Sequence, residues 1–352
     1  MLIIGCDFHP TFQQIAYMNT ETGEVHDRRL SHPVEAELFY RELKGQQVRV
    51  GIEATGNFRW FQRLMEELGF ELWVGNPTEI SASAPRKQHT DKRDAQHILR
   101  LLLENRFPKV WMPPAADEDV RALLLHRSRL VRLRTKIKNQ LDGMAKNEGF
   151  VRLHVTSKEG RKKLEAVPLT GWRQQRRQDL FALLDDLEER IAPLDRAVAA
   201  AAAARPEAKQ LMTHPGVGPN VALAFVLAIG PWERFPRGKY VASYLGLIPA
   251  EASSGNTRRL GQVSKQGNSM VRWLLVEAAT IAQSKDVGWH RQYLRLSLQK
   301  HHGVAKIAIA HKLAVRLYWM LRSGQDYTQI KERGSHAGQS EWPSGKATVP
   351  RT

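Results

Sequence analysis

The first 75 residues run in the order β-β-β-α-β-α-β, which restricts this part of the chain to a mixed sheet with helices packed on it. Residues 2–6, LIIGC, are a short apolar run ending at Asp7, the pattern of a buried strand. Gln14–Met18 is a second strand, and the polar TETGE turn leads to a third at Val25–Leu30, so the three form an antiparallel meander. A helix over Val34–Leu43 follows, then the β-branched run VRVGI at 48–52, which ends at Glu53. A second helix, FRWFQRLMEELG, and a strand at Glu71–Gly75 complete the order.

That order matches the ribonuclease H-like fold. Strand ends and helix starts of such a sheet meet along one edge, where ligands usually bind. Asp7 and Glu53 stand at strand ends, and Thr90 is placed to cap the helix that begins DKRDAQHILRLLL. Asp91 and Asp94 fall three apart on one face of its first turn. Carboxylates this close repel one another unless a proton or cation lies between them. A helix N-terminus relieves part of that repulsion, and the set suits a hard divalent cation such as Mg²⁺. Taken singly, each acid is equally well a cap or a solvated carboxylate. Four at strand and helix ends point to one metal site, and a pair of ions about 3.5–4 Å apart is the usual arrangement for phosphoryl transfer. His9 and His97 lie near these acids and are candidates for contacting metal or phosphate. No histidine has zinc-finger spacing, and His301-His302 reads as a solvated loop.

Fifty-three Lys and Arg against 36 Asp and Glu give the 352-residue chain a net charge of +17. Such an excess points to a polyanionic partner, most often nucleic acid, although a merely basic soluble protein shares it. The single cysteine, Cys6, excludes a disulfide framework within the chain and a Cys-rich zinc module. The start MLIIGCDFHP lacks the features of a signal peptide, and no apolar run approaches the roughly 20 residues of a membrane span. A cytoplasmic, nucleoid-associated protein with no membrane partner is expected, built from two or three domains.

Residues 1–112 form the first of these. Residues 113–208 read as a helical arm, opened by Pro113-Pro114. Leu123, Leu130, Ile137 and Met144 recur every seven residues, interleaved with Arg127, Arg129, Arg132, Arg134, Lys136 and Lys138. This is the pattern of a coiled coil or helical hairpin with a phosphate-binding face, or of a packing helix with a solvated charged face. Residues 149–171 read as a basic, irregular loop. A second seam follows at Leu180, Leu184, Leu187, Ile191, Leu194 and Val198, with Pro193 expected to kink or restart the helix.

Residues 209–324 read as a compact, mainly helical domain. HPGVG at 214–218, before VALAFVLAIG, resembles the turn of a helix-hairpin-helix, where Gly216 and Gly218 would let backbone N–H groups approach a phosphate. GKYVASYLGL is helix-like, and helices are expected at Met270–Ser284 and Val304–Arg322, the latter with Trp319 and Leu321 in the core. The loop with Ser253 and Ser254 lies among Arg258, Arg259, Lys265 and Arg272. It fits either a serine nucleophile whose attack on phosphate is eased by cations or a turn serine bonding its own backbone. Residues 325–352, polar and Pro/Gly/Ser-containing from about Lys331, read as a disordered tail.

GCD at 5–7, GIEATGN at 51–57, NP at 76–77, TDKRDA at 90–95, PGVG at 215–218, LGLIP at 245–249, SSG at 253–255 and SKQGN at 264–268 occur in this order. Together, over roughly residues 2–324, they resemble the DEDD transposases of bacterial insertion sequences, the insertion-sequence one-hundred-and-ten family, which includes the Piv-type DNA invertases. The resemblance implies a RuvC-like nuclease domain, a coiled-coil middle and a C-terminal transposase domain. Asp7, Glu53, Asp91 and Asp94 would bind two Mg²⁺ or Mn²⁺ ions, and Ser254 would join covalently to a DNA end. A structured non-coding bridge RNA would guide the protein to donor and target DNA. A homo-oligomer, dimer or tetramer, would act, the serine domain of one subunit completing the nuclease site of another. Two features depart from the family. Phe8-His9-Pro10-Thr11 stands where a lysine often follows the first Asp, and Ser253 adjoins Ser254. Rival readings are a Piv-like invertase without RNA, a RuvC-like endonuclease that uses water, and a basic nucleic-acid scaffold without catalysis.

Overall fold

Strand periodicity places alternate side chains of Leu2–Phe8 (β1) on opposite faces of a sheet. In the computed structural model, which describes residues 1–84, 90–251 and 260–332, β1 is the centre of five strands. The others are Phe12–Asn19 (β2), Val25–Ser31 (β3), Val48–Glu53 (β4) and Glu71–Gly75 (β5). The order is β3-β2-β1-β4-β5, with the meander antiparallel and β1, β4 and β5 parallel. This is the mixed sheet expected from the sequence.

Ile4, Cys6, Phe8, Val50 and Ile52 face one way and bury Phe39 and Tyr40 of α1 (Val34–Glu42) with Phe61 and Met65 of α2 (Arg59–Leu68). Beyond β5 lies a short helix not foreseen, α3 (Pro77–Ala82), capped by the Asn76 side chain, which accepts from Thr78 N. On the other face Ile3 and Ala16 pack with Ala95, Ile98, Leu99 and Leu102 of α4 (Asp91–Leu103). Gly5 and Gly51 are directly paired across β1 and β4. A Cβ on Gly5 would lie 2.3 Å from Leu99 N and 2.4 Å from Ala95 O, so α4 rests backbone to backbone on β1.

The chain divides into two compact units, Met1–Met112 and Pro113–Thr352. In the second, α5 (Glu118–Asn147) and α7 (Gly171–Ala203) form an antiparallel pair. Val131 meets Leu187 and Ile191, while Leu141 and Ala145 meet Leu180, Phe181 and Leu184. The buried stripe of α5 is Leu124, Ser128, Val131, Leu141 and Ala145, beside the heptad expected to form the seam. Leu123, Leu130, Ile137 and Met144 are half-buried at its edge, because a helix packed against more than one partner buries a stripe wider than a single heptad column. The α7 seam lies where expected, but Pro193 neither ends nor restarts the helix. Contacts of Leu187 and Ile191 before it, and of Val198 and Ala202 after it, hold α7 continuous. The stretch 149–171 is not all loop. Ser157 caps α6 (Lys158–Glu165) by accepting from Gly160 N, and Arg177 donates to the carbonyls of Leu164 and Val167, each at 2.7 Å.

The remaining helices are α8 (Pro206–Met212), α9 (Pro219–Ile229), α10 (Gly238–Tyr244), α11 (Ser269–Lys285), α12 (Val287–Ser297), α13 (His302–Ser323) and α14 (Tyr327–Glu332). A two-stranded hairpin, β6 (Pro249–Glu251) and β7 (Leu260–Val263), brackets residues 252–259. The bases of α5 and α7 share one apolar core with α9, α11 and α13. Leu321 is buried in it, and Trp319 packs against it half-buried. Helix α12, capped by Asp286, was not foreseen. His301 is the cap of α13 rather than part of a solvated loop, its ring accepting from Gly303 N. Residues 325–332, expected in the tail, carry α14, because Tyr327 is buried in the core. No helix among the described residues is long and apolar enough to cross a membrane.

Tyr327 belongs to a buried polar knot. Its hydroxyl donates to Asp286 at 3.1 Å and accepts from Trp289 Nε1, and Lys331 pairs with Asp286 at 2.7 Å. Burial pushes the Asp286 carboxyl up, but Lys331, the Trp289 N–H, Tyr327 and the Gly288 N–H together outweigh it and hold the pKa at about 2. His214, packed on Trp289 and Tyr327, is pulled down to about 4 by burial, with Arg316 adding to the effect and Pro215 O and Asp286 opposing it. A histidine kept neutral in the fold but free to protonate when unfolded loses stability as pH falls below about 6.5. The loss from His214 amounts to about 2 kcal/mol between about pH 7 and pH 5, at about 1.4 kcal/mol per pKa unit. Asp286 adds a loss only below its unfolded value near 3.8. Urea unfolding at the two pH values should show this slope in the wild type and a flatter one in His214→Phe; equal slopes would refute the assignment.

Candidate metal centre

Residues two apart on a strand face the same way, and this fixes the first two acids. Asp7 follows Gly5 on β1 and Glu53 follows Gly51 on β4, so both carboxylates point to the face covered by α4. Because Gly5 lets α4 touch the strand, the first turn of that helix is brought to the same edge. Thr90 caps it, accepting from Arg93 N at 3.3 Å. On β3, Asp27 anchors the turn through Lys92 at 2.7 Å and Gln96 at 2.9 Å. Asp91 and Asp94 are thereby carried beside Asp7.

Among the described residues, the group placed to hold a metal ion comprises Asp7, Asp91 and a residue outside the acidic tetrad, His9. His9 Nε2 lies 3.1 Å from Asp7 Oδ2 and 3.7 Å from Asp91 Oδ1, and one ligand atom from each residue falls within 4.8 Å of the other two. The half-buried Asp7 carboxyl is held above its ordinary pKa by burial; His9 opposes the rise, and the charges of Asp94 and Asp91 add to it. Glu53 is raised by burial, then by Asp7 and Asp94. Each of these shifts opposes the charged form. Hard oxygen donors that repel one another, with one imidazole among them, are the donor set of a divalent-cation site. The signal for His9 was its nearness to Asp7 in the sequence; it stands just past the end of β1. His97 is instead structural, held between Ser83 Oγ and Ile80 O.

The basic residues have different placements. Arg129, Arg132 and Lys136 are exposed on α5. Arg127 pairs with Asp195 at 2.5 Å and Lys138 with Glu188 at 3.6 Å, so these two serve the helix pair. Arg134 is half-buried, its Nε without a hydrogen-bond partner among the described residues. Arg272 Nη1 donates to Leu245 O and Gln266 O, tying the chain after β7 to the end of α10, while Lys265 is exposed. Gly216 has φ 87°, and a Cβ there would lie 2.5 Å from Ala278 O, so this glycine is required by packing on α11. Gly218 caps α9. Ser253, Ser254, Arg258 and Arg259 lie outside the described residues.

Comparison with known proteins gives the chain a family. Residues 4–147 match the IS110 DEDD family model, described as a transposase, and residues 208–295 match the model of the transposase IS116/IS110/IS902 family. The chain is 29% identical over 303 residues to a Pseudomonas aeruginosa protein described as a "Probable family 20 transposase", covering 80% of this chain and 89% of that one. It is 27% identical over 292 residues to the transposase for insertion sequence element IS1111A of Coxiella burnetii, covering 79% of each. With the transposase for element IS1328 of Yersinia enterocolitica it shares 24% identity over 288 residues, 77% of this chain and 83% of that one. The acidic edge of the first unit and the two family matches thus lead to one conclusion: the chain belongs to the IS110 family of DEDD transposases and is a DNA transposase.

Proposed function

We propose that this transposase is an RNA-guided recombinase that moves its own insertion sequence, cutting and rejoining DNA at a metal-bound acidic tetrad with Ser254 as nucleophile. The observation that supports the reading is the closeness of Asp7 to Asp91, with Asp94 and Glu53 near enough that burial and mutual repulsion hold Asp7 and Glu53 above their ordinary pKa. These acids would hold Mg²⁺ or Mn²⁺, two ions in all. A divalent ion bound there supplies positive charge to a scissile phosphate and its leaving oxygen. Asp7 and Glu53, fixed on strands, set the position of the centre, and Asp91 and Asp94 close it from α4. Ser254 Oγ would form a bond to phosphorus as the bond from phosphorus to the sugar oxygen breaks, the serine proton ending on the departing oxygen. The reverse step on a second strand would rejoin DNA and restore the serine.

The +17 net charge and the exposed Arg129, Arg132 and Lys136 support contact with folded RNA and the donor and target duplexes. Base pairing would supply the sequence information. Action as a homo-oligomer completes the reading, on the resemblance given above.

Cleavage of the element's own junction DNA with Mg²⁺, in the presence of the RNA transcribed beside the gene, tests it. Products of wild type, Ser254→Ala and Asp7→Ala are compared on a denaturing gel before and after protease treatment. A protease-sensitive DNA–protein band that disappears in both variants and without RNA is the expected result. Free ends that survive Ser254→Ala would mean water is the nucleophile, and cleavage independent of RNA would favour an invertase-like enzyme.

A further inference from the structure

We propose that His9 is a ligand of the metal centre through Nε2, and that this nitrogen shifts the centre's preference from Mg²⁺ toward Mn²⁺. The inference rests on the reading of Asp7 and Asp91 as metal-binding acids. It concerns a residue outside the acidic tetrad, at the point where the chain departs from the lysine-bearing family pattern.

Three observations converge on His9. First, β1 ends at Phe8, which enters the core, and the turn that follows returns His9 to Asp7, within 3.1 Å of its Oδ2. Second, the distances suit one ion. Neighbouring ligands of an octahedral ion with bonds of about 2.1 Å lie about 3 Å apart, and His9 Nε2 is 3.1 Å from Asp7 Oδ2 and 3.7 Å from Asp91 Oδ1. Third, the ring is held in place before any ion arrives. His9 N donates to Phe12 O at 2.9 Å, closing the turn between β1 and β2. The imidazole stacks on Phe12 at 4.5 Å and 23° between planes, and the Arg29 guanidinium lies 3.7 Å from the centroid of the same Phe12 ring. A side chain serving only as a counter-ion for half-buried acids has no need of such support.

Its chemistry follows from the donor atom. Both ions are at home with oxygen ligands, but Mn²⁺, the first of the Irving–Williams series, tolerates an imidazole nitrogen better than the harder Mg²⁺ does. An Asp7–His9–Asp91 centre therefore gains more from Mn²⁺ than an all-carboxylate one does.

The test uses the full-length protein and Mn²⁺ alone, read by pulsed electron paramagnetic resonance. Wild type should show nuclear modulation from a coordinated ¹⁴N that changes when histidine is ¹⁵N-labelled. His9→Gln should lose it and bind Mn²⁺ at least about tenfold more weakly, the scale of losses around metal sites. Its Mg²⁺ affinity, from competition, should fall by a smaller factor. Bound Mn²⁺ without histidine-nitrogen modulation in the wild type would overturn the proposal, whatever the folding of the variant. Modulation that persists in folded His9→Gln would overturn it too, because another histidine would then be the ligand. The underlying reading fails separately: Asp7→Asn would then leave Mn²⁺ stoichiometry and affinity unchanged.

Discussion

Replacing Asp7 with asparagine should abolish DNA cleavage, by at least about 10³-fold, while making the metal-free protein harder to melt. The two effects have one cause. Burial and the neighbouring Asp94 and Asp91 disfavour the charged Asp7, and His9 offsets this only in part. Asparagine has nearly the same shape and removes the charge, so the repulsion that burdens the empty fold disappears. Each kcal/mol gained corresponds to a rise of about 4–8 °C for a unit of this size. In catalysis the same change removes a ligand that helps place positive charge on the reacting phosphate, and about 10³-fold in rate is about 4 kcal/mol. Melting curves in chelator and in Mn²⁺ separate the two effects. Wild type should be stabilised by the ion, as any ligand bound only by the folded state requires. Asp7→Asn should melt higher in chelator and respond little to Mn²⁺. A variant that melts lower in chelator and still shifts with Mn²⁺ would remove Asp7 from the centre.

The elements that carry these acids were legible in the sequence. Strand signals were strong in the first unit because β1, β2 and β4 are short apolar runs bounded by polar turns. Asp7 and Glu53 could be placed at strand ends, and Thr90 at a helix start, by local rules alone. His9 stood there only as a candidate beside His97, because its position depends on a turn that the pattern of apolar residues does not encode. In the second unit, α6 and α12 escaped notice for a related reason. Each begins at a capping side chain, Ser157 or Asp286, and is held by distant contacts such as Arg177 to Leu164 O and Trp289 to Tyr327. The α5 seam was displaced because leucines and arginines alternate along it, so the identity of the packing partner decided which column was buried. Composition marked residues 325–332 as tail, yet a single aromatic, Tyr327, anchors them.

Gly5→Ala is the substitution expected to damage the first unit most for its size. The added Cβ would meet Leu99 N at 2.3 Å and Ala95 O at 2.4 Å, both backbone atoms of α4, and no rotamer change can relieve that. Helix α4 must lift off β1, loosening the contacts of Ile98, Leu99 and Leu102 with Ile3 and Ala16. Overpacking costs about 1–3 kcal/mol where side chains can adjust, so a rigid clash should lie at or above the upper end, about 3 kcal/mol. Gly51→Ala is the control. Its Cβ would lie nearest the Leu102 side chain, at 2.7 Å, which can turn away, and about 1 kcal/mol is expected. Urea unfolding of the two variants should separate them by about 2 kcal/mol, and equal losses would refute the close approach of α4 to β1. The damage should also reach the chemistry. Asp91 and Asp94 ride on the first turn of α4 and Asp7 on β1, so the gap between helix and strand is the gap between the acids. Gly5→Ala should therefore weaken Mn²⁺ binding at temperatures where the variant is still folded, whereas Gly51→Ala should leave it near the wild-type value. A glycine two residues before each strand acid thus has both a packing and a chemical consequence, and only the one beneath the helix backbone holds the acids at their separation.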